Sequence, residues 1–400
     1  MKHNAKAQVE VLSKGISELI SEDQLIALIS KSIADSAPLT VKAGFDPSSP
    51  DIHLGHTVLL NKLRQFQNFG HKVVFIIGDA TARIGDPTGR NKLRPRLSEE
   101  EIKANAKTYQ EQAYKVLIPE LTETIYNNYW FGVMGFADMM DLASRVTVSQ
   151  IIQRDDFQKR LASKAPLSLL ELFYPLMQGY DSVKIKADIE LGGTDQKFNL
   201  LMGRELQKEY GQKPQAVMML PLLVGLDGKQ KMSKSLGNHV GIEDAPNDMF
   251  GKIMSISDKQ MIEYYQLLTD IDGEAVQKSI DNQSKHPKAA KEDLAGLITA
   301  RYHSPEDAVR ALDNFRNVFS KGNQPDEIKQ ISAQSGMTLL KLLIETAAVK
   351  SGGEARRLIS QNAVAINGEV KTDPNEITSL SATPTILKVG KRNYLSVISL

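Results

Sequence analysis

Gly44-Phe45-Asp46-Pro47-Ser48-Ser49-Pro50-Asp51-Ile52-His53-Leu54-Gly55-His56 joins two segments of different periodicity. Upstream, LTVKAGF at 39–45 alternates as a strand does. Downstream, LGHTVLLNKLRQFQNF repeats its apolar residues at helical spacing until Gly70, which can end a helix. KVVFIIG then forms a short apolar run between turn signals, the pattern of a parallel strand buried on both faces. Strand, helix and strand make one βαβ unit, the opening of a doubly wound parallel α/β sheet.

The alternation recurs further on. Ser98 and Glu101 have the spacing of a capping box and start a helix. ADIELGG at 187–193 is strand-like, DQKFNLLMGRELQKEY is helical, and AVMMLPLLVG is strand-like again. Before residue 35 the apolar positions Val11, Ile16, Leu19, Ile20, Leu25 and Leu28 suggest helices alone. From about 240 to 320 helical signals dominate. The expected organisation is a catalytic α/β domain with N-terminal helices over 1–225, a helical domain over 226–320, a polar linker at 321–336, and a small α+β domain over 337–400.

Bulk composition narrows the function only by exclusion. The 49 basic and 48 acidic residues nearly cancel, so any nucleic-acid partner must be held by local patches. The absence of cysteine excludes disulfides, thiolate metal sites and thiol nucleophiles. The seven histidines lack the spacing of a zinc site. MKHNAKAQVEVL lacks the apolar core of a signal peptide, and VVFII at 73–77 is too short to span a bilayer. The expected compartment is the cytoplasm, with no membrane association.

Chemistry concentrates where strands end. In an open α/β sheet, ligands sit beyond the carboxyl ends of the strands, against the free N–H groups of helix N-termini. There His53 and His56 can hydrogen-bond phosphate oxygens, and Gly55 lets a nucleotide lie against the backbone. A second element, Lys231-Met232-Ser233-Lys234-Ser235, lies in a glycine-flanked polar loop. Paired lysines there suit a pyrophosphate leaving group, whose charge grows in the transition state. Tyr174, Gln178 and Asp181 share one face of a predicted helix at i, i+4 and i+7. They offer a hydroxyl, an amide and a carboxylate, suited to an ammonium at one end of a substrate and a phenol at the other.

HLGH after the first strand and KMSKS at 231–235 resemble the two signatures of class I aminoacyl-tRNA synthetases, whose core is Rossmann-like. GFDPSSPDIHLGH, IGDPTGR at 84–90, YPLMQGYD at 174–181, LGGTDQ at 191–196 and KMSKS occur in the order of tyrosyl-tRNA synthetases, which they resemble from about residue 37 to the end. The resemblance implies that Asp86, Tyr174 and Gln178 hold the α-ammonium of L-tyrosine. Asp181 accepts from the phenol, and Gln196 contacts the carboxyl group. Asp46, Gly193 and Asp195 surround the ribose of ATP with His56 beside it, and Ser48 and His53 take the γ-phosphate. Arg90 and Arg94, in a basic loop with Arg83, Lys92 and Arg96, close over pyrophosphate with Lys231 and Lys234. ATP is a substrate, its Mg2+ is held mainly by phosphates, and no prosthetic group is implied. The family also implies tRNA(Tyr) as a partner, and a homodimer.

The tail adds an arginine-bearing helix, Ser351-Gly352-Gly353-Glu354-Ala355-Arg356-Arg357, then a short strand and an Asn367-Gly368 turn. This resembles the S4 RNA-binding fold. Lys350, Arg356, Arg357, Lys371, Lys388, Lys391 and Arg392 give it an excess of basic groups, suited to RNA phosphates. Tryptophanyl-tRNA synthetases are the nearest alternative, and Gln178, GGTDQ and the tail favour tyrosine. Small-metabolite adenylyltransferases also use an HxGH turn but are usually shorter and would not need the tail. Lys42 departs from the family's usual tyrosine. Strand alternation puts it on the face of Asp46, where it either donates to the phenol oxygen, or snorkels to solvent or merely balances Asp181.

Overall fold

In the computed structural model, six strands build the sheet of the first unit: β1 (Glu18–Ile20), β2 (Thr40–Phe45), β3 (Lys72–Ile77), β4 (Thr122–Tyr126), β5 (Ile189–Gly193) and β6 (Ala216–Leu220). The structure describes all residues except 1–3, 48–49, 88–97, 321–328, 350, 381–383, 391–392 and 400. The strand order is β1-β6-β5-β2-β3-β4. β2 to β6 run parallel, and β1 joins β6 antiparallel at the edge. β3 and β6 are covered on both faces, so five of six residues of β3 and all of β6 are buried. That is why each reads as an unbroken apolar run.

The chain leaves β2 toward β3 on one side and later returns to pair β5 on the other. This reversal is the topological switch point, where the carboxyl ends of neighbouring strands leave a crevice. Three helices bring side chains to it: Leu54–Asn68 directly after β2, Glu99–Ala113 between β3 and β4, and Leu169–Ile185 before β5. Beyond β6 lie the helices Pro246–Met254, Asp258–Leu268, Gly273–Asp281 and Pro287–Tyr302. The N-terminal segment departs from expectation. Helices Ala5–Leu12 and Glu22–Asp35 flank a strand, since Glu18–Ile20 pairs with Val217–Met219. Three residues are too few to display a period of two.

Contacts divide the chain into Met1–Ala308 and Val309–Leu400. In the second unit β7 (Lys329–Ala333), β8 (Val364–Ile366), β9 (Glu369–Val370), β10 (Thr385–Val389) and β11 (Asn393–Ser399) are ordered β7-β11-β10-β8-β9. Helices Leu339–Glu345 and Gly352–Ser360 contribute Leu339, Leu342, Leu343 and Ile359 to a core completed by Leu387 and Val397. Asn367 and Gly368 both have positive φ, 49° and 86°, as the turn of the β8–β9 hairpin requires. Of the segment expected as a linker, 321–328 lie outside the described residues. Its remainder is partly a strand, because Lys329–Ala333 pairs in parallel with β11.

Candidate active site

The helix Leu54–Asn68 begins with a reciprocal histidine cap. His53 Nδ1 accepts from Gly55 N–H at 3.1 Å, and His56 Nδ1 accepts from His53 N–H at 3.2 Å. The rings stack with centroids 3.8 Å apart. A Cβ at position 55 would lie 2.9 Å from His53 Cε1, so the stacked pair needs glycine between its members. With Nδ1 accepting in both rings, the proton of each neutral imidazole is on Nε2. Burial, and for His53 its neighbour His56, push the two pKa values down to about 2 and about 4. Both rings are therefore neutral Nε2–H donors at the mouth of a crevice, suited to phosphate oxygens.

That crevice is a cavity of about 610 Å³. Asp46, His53, Gly55, His56, Asp86, Tyr174, Gln178, Asp181, Gly193, Asp195, Gln196 and Lys231 all line it, so most residues expected at the site share one space. Each lysine of the loop is held by a carboxylate: Lys231 Nζ lies 2.7 Å from Asp195, and Lys234 Nζ lies 2.7 Å from Asp51. Lys234 does not line the cavity and meets Asp51, an acid that the sequence places only in a turn. Ser48, Arg90 and Arg94 lie outside the described residues, with Lys92 and Arg96 of the same loop.

Toward the middle of the cavity, Asp46 accepts from Thr81 Oγ1 at 2.7 Å and from the Tyr174 hydroxyl at 2.9 Å. Burial raises the Tyr174 pKa well above the usual phenol value, so Tyr174 stays a neutral donor. Gln196 Nε2 donates to Asp86 Oδ2 at 2.8 Å. At Gly193 a Cβ would come within 2.7 Å of Asp195 Oδ1, which keeps that strand end bare.

At the far end, Asp181 is 3 % exposed and accepts from Trp130 Nε1 at 2.9 Å and Asn127 Nδ2 at 3.3 Å. Burial raises its pKa to about 7, opposed by the Lys42 charge and by the two hydrogen bonds. Lys42 corrects an expectation. It is on the face of Asp46, as the alternation requires, but it is fully buried beneath the cavity and does not line it. Its Nζ donates to Gln178 O at 3.0 Å, Ser182 Oγ at 2.8 Å and Glu190 Oε1 at 2.7 Å. An ammonium has three N–H donors, and these three contacts use them all. Lys42 therefore reaches Asp181 through charge and through the helix, with no N–H left to donate to a ligand.

Trp130, Asn127, Thr81 and Glu190 were not expected at the site. A signal existed for Glu190: the strands β2 and β5 are otherwise uncharged, each carries one charge, and Lys42 and Glu190 are register partners. No pattern pointed to Asn127 or Thr81, which come from segments with no amphipathic period.

In the second unit, Arg356 and Arg357 are exposed on the helix Gly352–Ser360, while Ala355 and Ile359 of the same helix are buried. Lys371 is engaged by Glu369 and Glu376, and Lys388 lies 5.2 Å from the Tyr394 ring centroid. Lys350, Lys391 and Arg392 lie outside the described residues.

A parallel sheet with its ligand cavity at the switch point, neutral histidines at one helix N-terminus and a lysine loop facing them suit a nucleotide-binding enzyme. Residues 34–320 match the model of the tRNA synthetases class I (W and Y), and the chain belongs to that family. Residues 322–397 match the tyrosine--tRNA ligase SYY-like C-terminal domain. A tyrosine--tRNA ligase of Moorella thermoacetica is 50% identical over 391 residues, 97% of this chain and 94% of the relative. That of Carboxydothermus hydrogenoformans is 50% identical over 402 residues, 98% of each chain. Within its family the chain therefore stands with the tyrosine--tRNA ligases, and the tryptophan alternative is not favoured. Solved structures agree on the fold. The Archaeoglobus fulgidus tyrosyl-tRNA synthetase complexed with L-tyrosine superposes with a TM-score of 0.63 at 21% identity, over 77% of this chain and 99% of that one. A C-terminally truncated Aspergillus nidulans mitochondrial tyrosyl-tRNA synthetase gives 0.64 at 20% identity, over 80% and 95%.

Proposed function

We propose that the cavity holds tyrosine and ATP in line, with the phenol on Asp181 and the phosphates on His53 and His56. The observation that carries this reading is the chemical polarity of one cavity. A buried carboxylate held by Trp130 and Asn127 marks one end, and two neutral Nε2–H donors mark the other. The activity is ligation of tyrosine to tRNA, with ATP as substrate. The tyrosine carboxylate attacks the α-phosphorus, giving tyrosyl-adenylate and pyrophosphate. A hydroxyl of the terminal adenosine of tRNA then attacks the adenylate carbonyl. No protein nucleophile is needed, so catalysis is positioning together with stabilisation of the departing phosphates.

In this reading Asp86, Tyr174 and Gln178 hold the α-ammonium, and Gln196 meets the carboxyl group. Asp46, Gly193 and Asp195 surround the ribose. Lys231 and Lys234 exchange their carboxylate partners for pyrophosphate oxygens, joined by Ser48, Arg90 and Arg94. Mg2+ enters with ATP and is held mainly by its phosphates. Arg356 and Arg357 contact tRNA backbone. Pyrophosphate exchange into ATP, run separately with each amino acid, tests the assignment; exchange driven best by any amino acid other than tyrosine would overturn it.

Two coarser properties belong to the same proposal. No helix among the described residues is long and apolar enough to cross a membrane, and a tRNA ligase acts where translation does, in the cytoplasm. Large apolar side chains are exposed between residues 126 and 170, with Tyr129, Val133, Phe136 and Leu169 each more than two-thirds accessible. An apolar surface of this kind suits an isologous contact with a second copy. Sedimentation of the wild-type chain at monomer mass would remove the homodimer from the proposal.

A further inference from the structure

At one wall of the cavity, four side chains close a ring of hydrogen bonds. Arg154 Nη2 donates to Asp86 Oδ1 at 3.1 Å, and Gln196 Nε2 donates to Asp86 Oδ2 at 2.8 Å. Asn199 Nδ2 donates to Gln196 Oε1 at 2.8 Å, and Arg154 Nη1 donates to Asn199 Oδ1 at 3.1 Å. The Asn199 amide also donates to Gln178 Oε1 at 2.9 Å. Arg154 thus reaches Asp86 directly, and Gln178 and Gln196 through Asn199. Those three line the cavity, whereas Arg154 and Asn199, 5 % and 1 % exposed, stand behind them.

Arg154 is itself anchored. Its Nε lies 2.8 Å from Asp156 Oδ1, and its guanidinium carbon lies 5.2 Å from the Phe157 ring centroid. A guanidinium presents its donors in a rigid plane, so the positions of Asp86, Asn199 and Asp156 are fixed relative to one another. Lysine carries its donors on a single nitrogen and cannot span the same three acceptors in a fixed plane. The ring also fixes the sense of each amide. With Asn199 giving both hydrogens to glutamine oxygens, reversing it would set its own oxygen against Gln178 Oε1 and Gln196 Oε1.

We infer that Arg154 is a positioning residue for the amino end of the substrate, acting through Asp86 and, by way of Asn199, through Gln178. The inference rests on the reading in which Asp86 and Gln178 take the α-ammonium. It assigns a role to Arg154, which lies outside every motif singled out in the sequence.

Equilibrium binding of two ligands tests it: tyrosine, and 3-(4-hydroxyphenyl)propionic acid, which keeps the phenol and the carboxyl group but has no amino group. Arg154→Lys and Asn199→Ala should each weaken tyrosine about tenfold or more and leave the deaminated ligand within about twofold. Equal losses for both ligands, or unchanged tyrosine binding, would overturn the inference. Asn199→Ala carries no charge change and is the informative variant where Arg154→Lys does not fold. Asp86→Asn separates the two levels. If it leaves the ratio of the two affinities unchanged, the ammonium assignment fails and takes the inference with it. If it changes that ratio while the Arg154 and Asn199 variants do not, the inference alone fails.

Discussion

The indole N–H of Trp130 donates to Asp181 Oδ1 at 2.9 Å, which sets the only tryptophan of the chain against the carboxylate proposed to read the phenol. Trp130→Phe keeps the ring and removes the donor. A lost hydrogen bond to a charged group is worth about 1.5–3 kcal/mol. The preference for tyrosine over phenylalanine, measured as the ratio of kcat/KM values, should fall accordingly, and an unchanged ratio would detach Trp130 from recognition. Tyrosine binding should also change the fluorescence of this single residue.

Tyrosine binding should depend on pH near neutrality. Asp181 is held at about 7, mainly by burial. Its ionised form accepts the phenol proton, so affinity should rise as pH increases through about 7 and level off above it. Phenylalanine, with no hydroxyl to donate, should show no such rise. Titration calorimetry between acidic and mildly alkaline pH decides; a flat tyrosine profile means that Asp181 does not titrate there or does not meet the phenol.

Lys42→Met should act on stability and on recognition separately. It leaves Glu190, now 1 % exposed, without its cation. Removing one partner of a buried pair costs about 3–5 kcal/mol. Lys42→Met combined with Glu190→Gln should recover much of that stability in thermal or urea unfolding. In the double variant tyrosine affinity should rise at a higher pH than in the wild-type chain, because loss of the Lys42 charge, which holds the Asp181 pKa down, outweighs loss of the smaller opposing effect of Glu190. Full recovery of tyrosine preference at every pH would make Lys42 purely structural.

Lys234→Ala should slow adenylate formation by roughly two to three powers of ten, as loss of one preorganised electrostatic donor does. Tyrosine affinity should hardly move, since Lys234 is paired with Asp51 and stands apart from the phenol end. Rapid-quench single-turnover measurements give the rate, and a near-normal value would remove Lys234 from the mechanism.

A chain ending at Ser320 should still exchange pyrophosphate with tyrosine and charge tRNA poorly. It omits the second sheet with Arg356 and Arg357 and keeps the whole first sheet with its cavity. Equal aminoacylation by the folded, truncated chain would refute the RNA-binding role of the tail.

Much of the site could be read from sequence because its residues punctuate regular elements. β2 alternates, the helix after it has a clear period, and the histidines fall at the junction. Capping boxes such as Ser98 with Glu101 form as their spacing requires. What was missed lies where local pattern carries no information. β1 is three residues long, β4 shows mixed exposure, and the helices between 128 and 162 are short. Trp130, Asn127 and Arg154 come from that stretch and reach the site only through tertiary packing. The face of Lys42 followed from the pleat, whereas its depth followed from Glu190, a partner 148 positions away in the chain.

The carboxylate partners of Lys231 and Lys234 make the resting loop behave like a charged resin already loaded with counterions. An arriving nucleotide does not meet bare cations; it swaps one set of anions for another. Such an exchange has little net charge to screen, so added salt weakens the resting pairs and the incoming phosphates together. Nucleotide affinity at this loop is then set less by the number of lysines than by how readily Asp195 and Asp51 let go. In the proposed function Asp195 has a second task at the ribose, which gives it somewhere to go.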